Sequence, residues 1–432
     1  MLTATGRQFV DWSAAYRLFT NPRMDIEALF KVACGEVLQQ LSSQQMIIAH
    51  MDDTLVKKTG KKVAGTGWRR DPLGPPFHTN FLWGQRFLQI SMALADLPGP
   101  CQSRAIPIDF HHCPSVKKPG KSATEQDWAC YKQAQKQVNL SKQATARIQL
   151  LRERLDQQGA AAKQLLLSVD GSYTNTTILK SLPERTTLIG RIRKDTALYK
   201  LPDPNTRPGR KRVYGQSLPS PEQIRQSDEY PSQKVQAWAA GKVHCFDVKR
   251  LGPVRWRKAG GQHDLQLVII KPLGYRLTKK SRVLYRRPAY LICTDTELAI
   301  DKLLQAYLYR WEIEVNFRDE KTLLGCGQAQ VRTPQAVEKV PAFIVAMYAL
   351  LQLAAHNTYR KQNKMLLPRP RWYPNNIGKR LTSSEIINLL RTEMWAKALG
   401  CNFSDFVKQQ QQLKSHRNTA QSLAAALFYV RK

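Results

Sequence analysis

The sequence is poor in acid. Its 33 Asp and Glu face 67 Lys and Arg, a formal net charge of +34 over 432 residues. Such a chain repels itself unless it meets a polyanion. Nucleic acid is the first candidate, because Lys and Arg gain affinity by releasing counterions from phosphates. A membrane surface fits less well, since no stretch joins a basic face to a strongly apolar one. Long apolar runs are missing too. The most apolar, Val340 to Ala355, is short for a bilayer span and holds Gln352. The first residues, MLTATGRQFVDW, lack the charged-then-apolar order of a signal peptide, so a cytoplasmic, soluble protein is expected. The 8 Cys include no C-x-x-C pair and read as reduced thiols. His111, His112 and Cys113 form one dense soft-ligand tripeptide, with no partner cluster to complete a zinc site. No G-x-x-x-x-G-K-[ST] loop is present, which argues against a nucleotide cofactor.

What is present alternates between strand-like and helix-like stretches, the pattern of an α/β sheet. Residues 1–43 read as helical, with apolar positions at three-and-four spacing from Ile26, and suit either an arm on DNA or a cover for the core. The apolar run Met46 to Met51 reads as a buried strand ending in Asp52, Asp53 and Thr54. Lys57 and Lys58 open a cationic turn, and Phe81 to Leu94 contains a second strand. Pro98 to Ser122 reads as irregular. Thr124 to Gly159 reads as one long helix, opened by Thr124 and closed by Gly159. Leu165 to Val169 is a third strand and ends in Asp170, and Thr187 to Arg193 is a fourth after a short helix. Residues 44–193 thus form the first part of a core.

Residues 194–298 begin with a Pro-rich basic stretch and continue as short strands, a β-rich insertion. Residues 299–360 return to helix, with Pro341 expected in the first turn of a helix from Ala336. Residues 361–432 read as a helical C-terminal region, with a basic aromatic linker from Pro368 to Pro374, a helix from Ser383 to Leu399 and a Gln-rich tail.

The stretch Asp301 to Leu324 contains neither Gly nor Pro and is followed by Gly325, as a single helix would be. At roughly 100° per residue, Tyr307, Arg310, Glu314 and Lys321 fall within about 60° of one another, with Arg318 close by. One face therefore carries a phenol, several cations and a single carboxylate, while Glu312, Asp319 and Glu320 point away. Such a face is either a solvated, ion-paired surface or a carboxylate held among cations beside phosphates. Asp53 and Asp170, each closing a strand, favour the second reading. Three converging carboxylates repel and need cations, and hard oxygen ligands suit Mg²⁺ or Mn²⁺. Two such ions roughly 4 Å apart would serve in-line phosphoryl displacement.

On these residues the chain resembles a DDE transposase of bacterial insertion sequences. Tyr307, Arg310, Glu314 and Lys321 match the Y-(2)-R-(3)-E-(6)-K signature of one group without a gap. The stretch DDTLVKKTGKK resembles an Asp-Asp-Thr opening seen in one branch, and SVDGSY resembles the second-acid block. The likeness runs from about Gln44 to Arg332. It implies an RNase H-like core with a β-strand insertion between the second Asp and the Glu helix. It implies Asp53, Asp170 and Glu314 as catalytic metal ligands, forming one site for two Mg²⁺ or Mn²⁺ ions. Asp53 is preferred to Asp52 because the family acid immediately precedes Thr, and Asp52 would then face the opposite side of its strand. It further implies that Tyr307, Arg310 and Lys321 hold phosphates of DNA, with Arg318, Lys57 and Lys58 as added contacts, and that an aromatic such as Trp256 or Trp238 stacks an extruded base. The implied activity is cleavage at transposon ends and strand transfer into target DNA, by a homodimer at the bacterial nucleoid. A non-catalytic DNA-binding protein and a plain endonuclease on the same fold are the alternatives.

Overall fold

The computed structural model describes residues 13–402, apart from positions 22, 43–44, 72–73, 75–77, 79, 96–98, 204–210, 277, 279, 360–379 and 401. The linker at Pro368 to Pro374 and the tail with Gln409 to Gln412 lie outside the described residues.

Two helices, α1 (Ser13–Thr20) and α2 (Ile26–Gln40), precede the first strand. Asp25 caps α2 by accepting from the Ala28 N–H, as a short acceptor side chain at that position should. Then follow β1 (Ile47–Lys57), β2 (Gly67–Arg70), β3 (Phe81–Ala95) and β4 (Ser103–Cys113). Helices α3 (Glu125–Gln137) and α4 (Leu140–Leu155) lead through a π-turn at Asp156–Ala160 to β5 (Leu165–Val169), α5 (Thr176–Leu179) and β6 (Thr186–Arg191). Strand β3 pairs antiparallel with β1 and β4, while β5 pairs parallel with β1 and β6. The order β4-β3-β1-β5-β6, three antiparallel strands followed by two parallel ones, is that of an RNase H-like core.

The stretch 194–298 supplies β7 (Leu198–Tyr199), α6 (Pro221–Gln226), β8 (Ser232–Ala239), β9 (Lys242–Trp256), β10 (Leu265–Ile270), β11 (Gly274–Tyr275), β12 (Leu284–Tyr285) and β13 (Ala289–Cys293). Of these, β11 and β12 form a separate pair. The others extend the core sheet itself, because β13 pairs antiparallel with β6 and is followed outward by β10 and β9. The sheet reaches eleven strands in this way. Four helices complete the described chain: α7 (Ile300–Tyr309), α8 (Trp311–Thr322), α9 (Pro334–Tyr359) and α10 (Ser383–Ala398).

Side chains alternate across the sheet and build two cores. On one face Ile47, Ala49 and Met51 of β1 and Leu165, Leu167 and Val169 of β5 meet α2 and α4 through Val37, Ile148 and Leu151. On the other face Leu166 and Ile189 meet Leu303, Leu304 and Ala306 of α7. Helix α7 thus covers the face toward which even-numbered β1 residues point. Helix α9 runs along β4, where Ala342, Val345 and Ala346 pack with Phe87 and Phe110. By length and mean hydropathy, 1.5, the span Pro334–Thr358 could cross a membrane, yet 61% of its most apolar window is buried in this fold.

Several expectations are corrected. Strand β1 does not stop at its acids but pairs with β3 as far as Lys57, opposite Gly84. The irregular stretch at 98–122 contains β4, whose Pro107 hid it. Ile90 pairs with Asp109 and Ser91 with Pro107, so Ile108 is the extra residue of a bulge that accommodates the missing N–H. The helix expected over 124–159 breaks at Val138, where Asn139 caps α4 anew. The helix expected over 301–324 is divided at Arg310 into α7 and α8. Pro341 lies inside α9, which begins earlier, at Pro334.

The end of α8 is fastened to β1. Lys321 donates to Thr54 Oγ1 at 2.6 Å, and Lys58 donates to the carbonyls of Gly327 at 2.6 Å and Ala329 at 3.2 Å. Gly327 has φ +94, and a Cβ there would collide with Val56. Gly327→Ala should therefore cost about 2 kcal/mol through overpacking and the left-handed backbone, read as a lower Tm. An unchanged Tm would show that this junction carries no strain limit.

Candidate active site

Strand β1 and helix α8 meet through one guanidinium. Arg310 donates from Nη1 to Asp52 Oδ2 and from Nη2 to Glu314 Oε1, each at 3.0 Å. Burial opposes the charge on Arg310, yet Asp52, Tyr307, Glu314 and Asp170 together raise its pKa above the ordinary value. Asp52 is driven up to about 7, first by burial and further by Asp53 and Asp170, with Arg310 pulling the other way. Asp170 follows β5 directly. Since Met51 pairs with Val169 in parallel register, Asp170 stands beside Asp52 and on the same face. On that face Ser168 also donates to the Ala306 carbonyl of α7 at 3.2 Å. Asp52, Asp170 and Glu314 therefore share one side of the sheet.

Asp53 does not. It lies on the α2 and α4 side, where its Oδ1 accepts from the Tyr173 hydroxyl at 2.5 Å and its Oδ2 is 3.3 Å from Arg86 Nε. Burial first, then Asp53, raise the Tyr173 hydroxyl far above its usual pKa, so it stays a donor. The expected orientation of the two acids is thus reversed. The physical reason is the strand's period of two: once β1 continues past Met51, only even positions can face α8.

The other expected residues are distributed as follows. Tyr307 is half-buried on α7 beside Arg310. Lys321, its pKa lowered by burial, is held by Thr54. Arg318 is exposed and pairs with Asp319 at 2.9 Å. Lys57 is exposed, whereas Lys58 is lowered by burial and committed to the two carbonyls after α8. Trp256 is corrected: at 7% exposure it packs within the core and offers no free ring face for a base. Trp238 is half-buried near the end of β8, and its backbone N–H donates to Gln305 Oε1 at 2.8 Å. His112 is buried against Phe87, and β4 turns His111 to the opposite face, so no zinc site forms there.

Two residues escaped the sequence reading. Trp311 opens α8 next to Arg310 with 62% of its surface exposed. His50, two positions before Asp52 on the same face, is fully buried with neither ring nitrogen partnered among the described residues. Burial first, and then Arg310, push it down to about 3, so it is neutral. Glu320, expected to point away from the cationic face, is buried in the interface with Gln89, the residue paired with Asp52. Its neighbours Ile313, Asn316 and Phe317 are also buried, a period of three and four that could have revealed the inward stripe.

Hard carboxylate oxygens are what Mg²⁺ or Mn²⁺ requires, and Asp52, Asp170 and Glu314 supply them on one face. Among the described residues no three acidic, His or Cys side chains are grouped tightly enough to hold a metal ion. Instead Arg310 supplies the positive charge between Asp52 and Glu314. The donor set fits a divalent cation that takes over this compensation.

An RNase H-like sheet with Asp52 and Asp170 on the face that Arg310 and Glu314 meet is the arrangement of enzymes that cut nucleic acid. The comparison with family models agrees: residues 5–260 match the DDE superfamily endonucleases, more than half the chain, and the protein belongs to that family. The match includes β1 and Asp170 and ends before α8 and Glu314. No curated protein matches this chain.

Burial lifts Glu320 to about 8, well above the ordinary 4.5 of a glutamate. A raised acid is protonated in the folded state at pH values where the unfolded chain has lost that proton. Stability is therefore full below about 4.5 and declines as pH rises to about 8. Glu320→Gln should remove the decline. In denaturant melts the variant should match the parent at pH 4 and exceed it by up to about 5 kcal/mol at pH 9, the value of the whole shift. Equal loss of stability at both pH values would show that Glu320 is ionised in the fold.

Proposed function

We propose that this endonuclease is a transposase of the group with the Y-R-E-K signature, which cuts DNA at the ends of a mobile element and joins the freed 3′-hydroxyl to a target. The observation that carries the reading is the Arg310 bridge between Asp52 and Glu314, with Asp170 beside it. It joins the first strand's acid to the signature helix, which the family match alone does not reach.

In this reading Asp52, Asp170 and Glu314 hold Mg²⁺ or Mn²⁺, with two ions expected. Such ions would lower the pKa of an attacking water or hydroxyl and stabilise the leaving oxygen. Asp53 is a positioning residue, fixed by Tyr173 and Arg86 so that its neighbour Asp52 faces α8. With the acids satisfied by metal, the Arg310 fork is free to grip a phosphate in two-point fashion. Tyr307 and the exposed Arg318 line the approach to that phosphate, while Lys57, at an odd position of β1, falls on the other side of the sheet. Lys321 holds Thr54 and with it the register of α8 on β1. Holding two element ends at once calls for a homodimer on DNA, acting at the nucleoid without a nucleotide cofactor.

The test is a strand-transfer assay with labelled element ends, a target plasmid and Mg²⁺. Joined products are expected and should vanish with EDTA. Cleavage without joining would reduce the protein to an endonuclease, and binding without cleavage would make it a non-catalytic binder. Asp52→Asn and Glu314→Gln should each lower cleavage about a thousandfold, the value of several kcal/mol of lost metal chemistry. Asp53→Asn should stay within about tenfold of the parent, as expected for a side chain that acts only through position. If Asp53→Asn abolished cleavage and Asp52→Asn did not, the assignment of the first acid would be wrong.

A further inference from the structure

The hairpin of β2 and β3 leaves aromatic side chains in solvent at the edge of the sheet. Trp68 is 66% exposed and Phe81 61%. Trp68 pairs with Trp83 and Arg70 with Phe81, so all four side chains share one face. The rings of Trp68 and Trp83 meet edge to face with centroids 5.5 Å apart. Trp83 is fixed from below, since its indole N–H donates to the Gly60 carbonyl at 3.2 Å. The edge of Trp83 thus buttresses Trp68 and leaves a ring surface open.

This face is the one that carries the acids. Along β3, Trp83, Gln85, Phe87 and Gln89 alternate onto the same side, and Gln89 is paired with Asp52. Six residues of strand separate Trp83 from Gln89, about 20 Å at roughly 3.4 Å per residue. An unpaired strand spans that distance with a few nucleotides.

Residues 57–70 hold no acid, and Lys61, Lys62 and Arg70 among them are exposed, Arg70 on the face of the rings. Cations alone are an ordinary way to keep a sheet edge from pairing with another chain. An exposed Trp and Phe among them defeat that purpose and call for an occupant. A second copy of this chain, itself at +34, would meet repulsion here. Cations interleaved with open ring faces match a phosphate backbone whose bases are free to stack.

We propose that the β2–β3 hairpin is a platform for unpaired DNA, stacking bases on Trp68 and Phe81 a few nucleotides from the bond that is cut. The site rests on the reading of the chain as an enzyme acting on DNA. It takes a separated strand, because an intact duplex presents its bases edge-on within the grooves.

The experiment compares full-length parent and Trp68→Ala/Phe81→Ala protein, with fluorescence anisotropy on an oligo-dT strand and on a duplex of equal length. The double variant should bind the single strand at least tenfold more weakly and the duplex within twofold of the parent. Trp68→Phe, which keeps a ring face, should restore most single-strand binding when combined with native Phe81. A circular-dichroism melt checks that both variants fold. Unchanged single-strand affinity would overturn the proposal, and so would an equal loss on both DNAs. A protein that cleaves element ends yet shows either outcome would sink the platform alone. Failure to cleave under any divalent cation, with the single-strand effect intact, would sink the transposase reading alone.

Discussion

One buried guanidinium holds this site together. Arg310 stands between Asp52 on a central strand and Glu314 on the helix that crosses it, 3.0 Å from each. A buried charge without a partner costs several kcal/mol, and here two carboxylates and a cation satisfy one another. With Asp170 on the same face, the site holds more negative than positive charge before any metal binds. Burial first, and then Asp53 and Asp170, leave Asp52 reluctant to ionise against the pull of Arg310. A divalent cation would relieve the imbalance and release Arg310 to the phosphate of a DNA strand.

The architecture around the bridge serves to place it. Parallel pairing of β1 with β5 sets Asp52 beside Asp170, and Lys321 and Lys58 pin the end of α8 to the same strand. Tyr173 and Arg86 take up Asp53 on the far side, so two adjacent acids are separated by the thickness of the sheet. The strands after β6 widen the sheet, and α7 covers that extension while also presenting Tyr307 and Arg310.

Much of this was legible from residue pattern. The α/β class followed from apolar runs alternating with helical spacing. The signature helix face followed from the spacing of Tyr307, Arg310, Glu314 and Lys321. What pattern could not supply was pairing. Whether β1 ends at Met51 or runs on to Lys57 depends on Gly84 and its neighbours across the ladder, and that decides which Asp faces the helix. Strand β4 was obscured by Pro107, whose cost is absorbed by a bulge visible only in the partner's register. Trp256 was expected to stack a base on the strength of the resemblance, whereas its ring belongs to the core. Glu320 shows the same limit from the other side, a charged residue by type that the fold keeps buried.

The central claim is that Asp52, with Asp170 and Glu314, forms one cation-binding acidic site while Asp53 belongs to the opposite face. Titration of Mn²⁺ into the folded protein, followed by electron paramagnetic resonance, tests it without reference to turnover. The account predicts tight binding by the parent and by Asp53→Asn, and at least tenfold weaker binding by Asp52→Asn. Loss of binding in Asp53→Asn with binding retained in Asp52→Asn would contradict it.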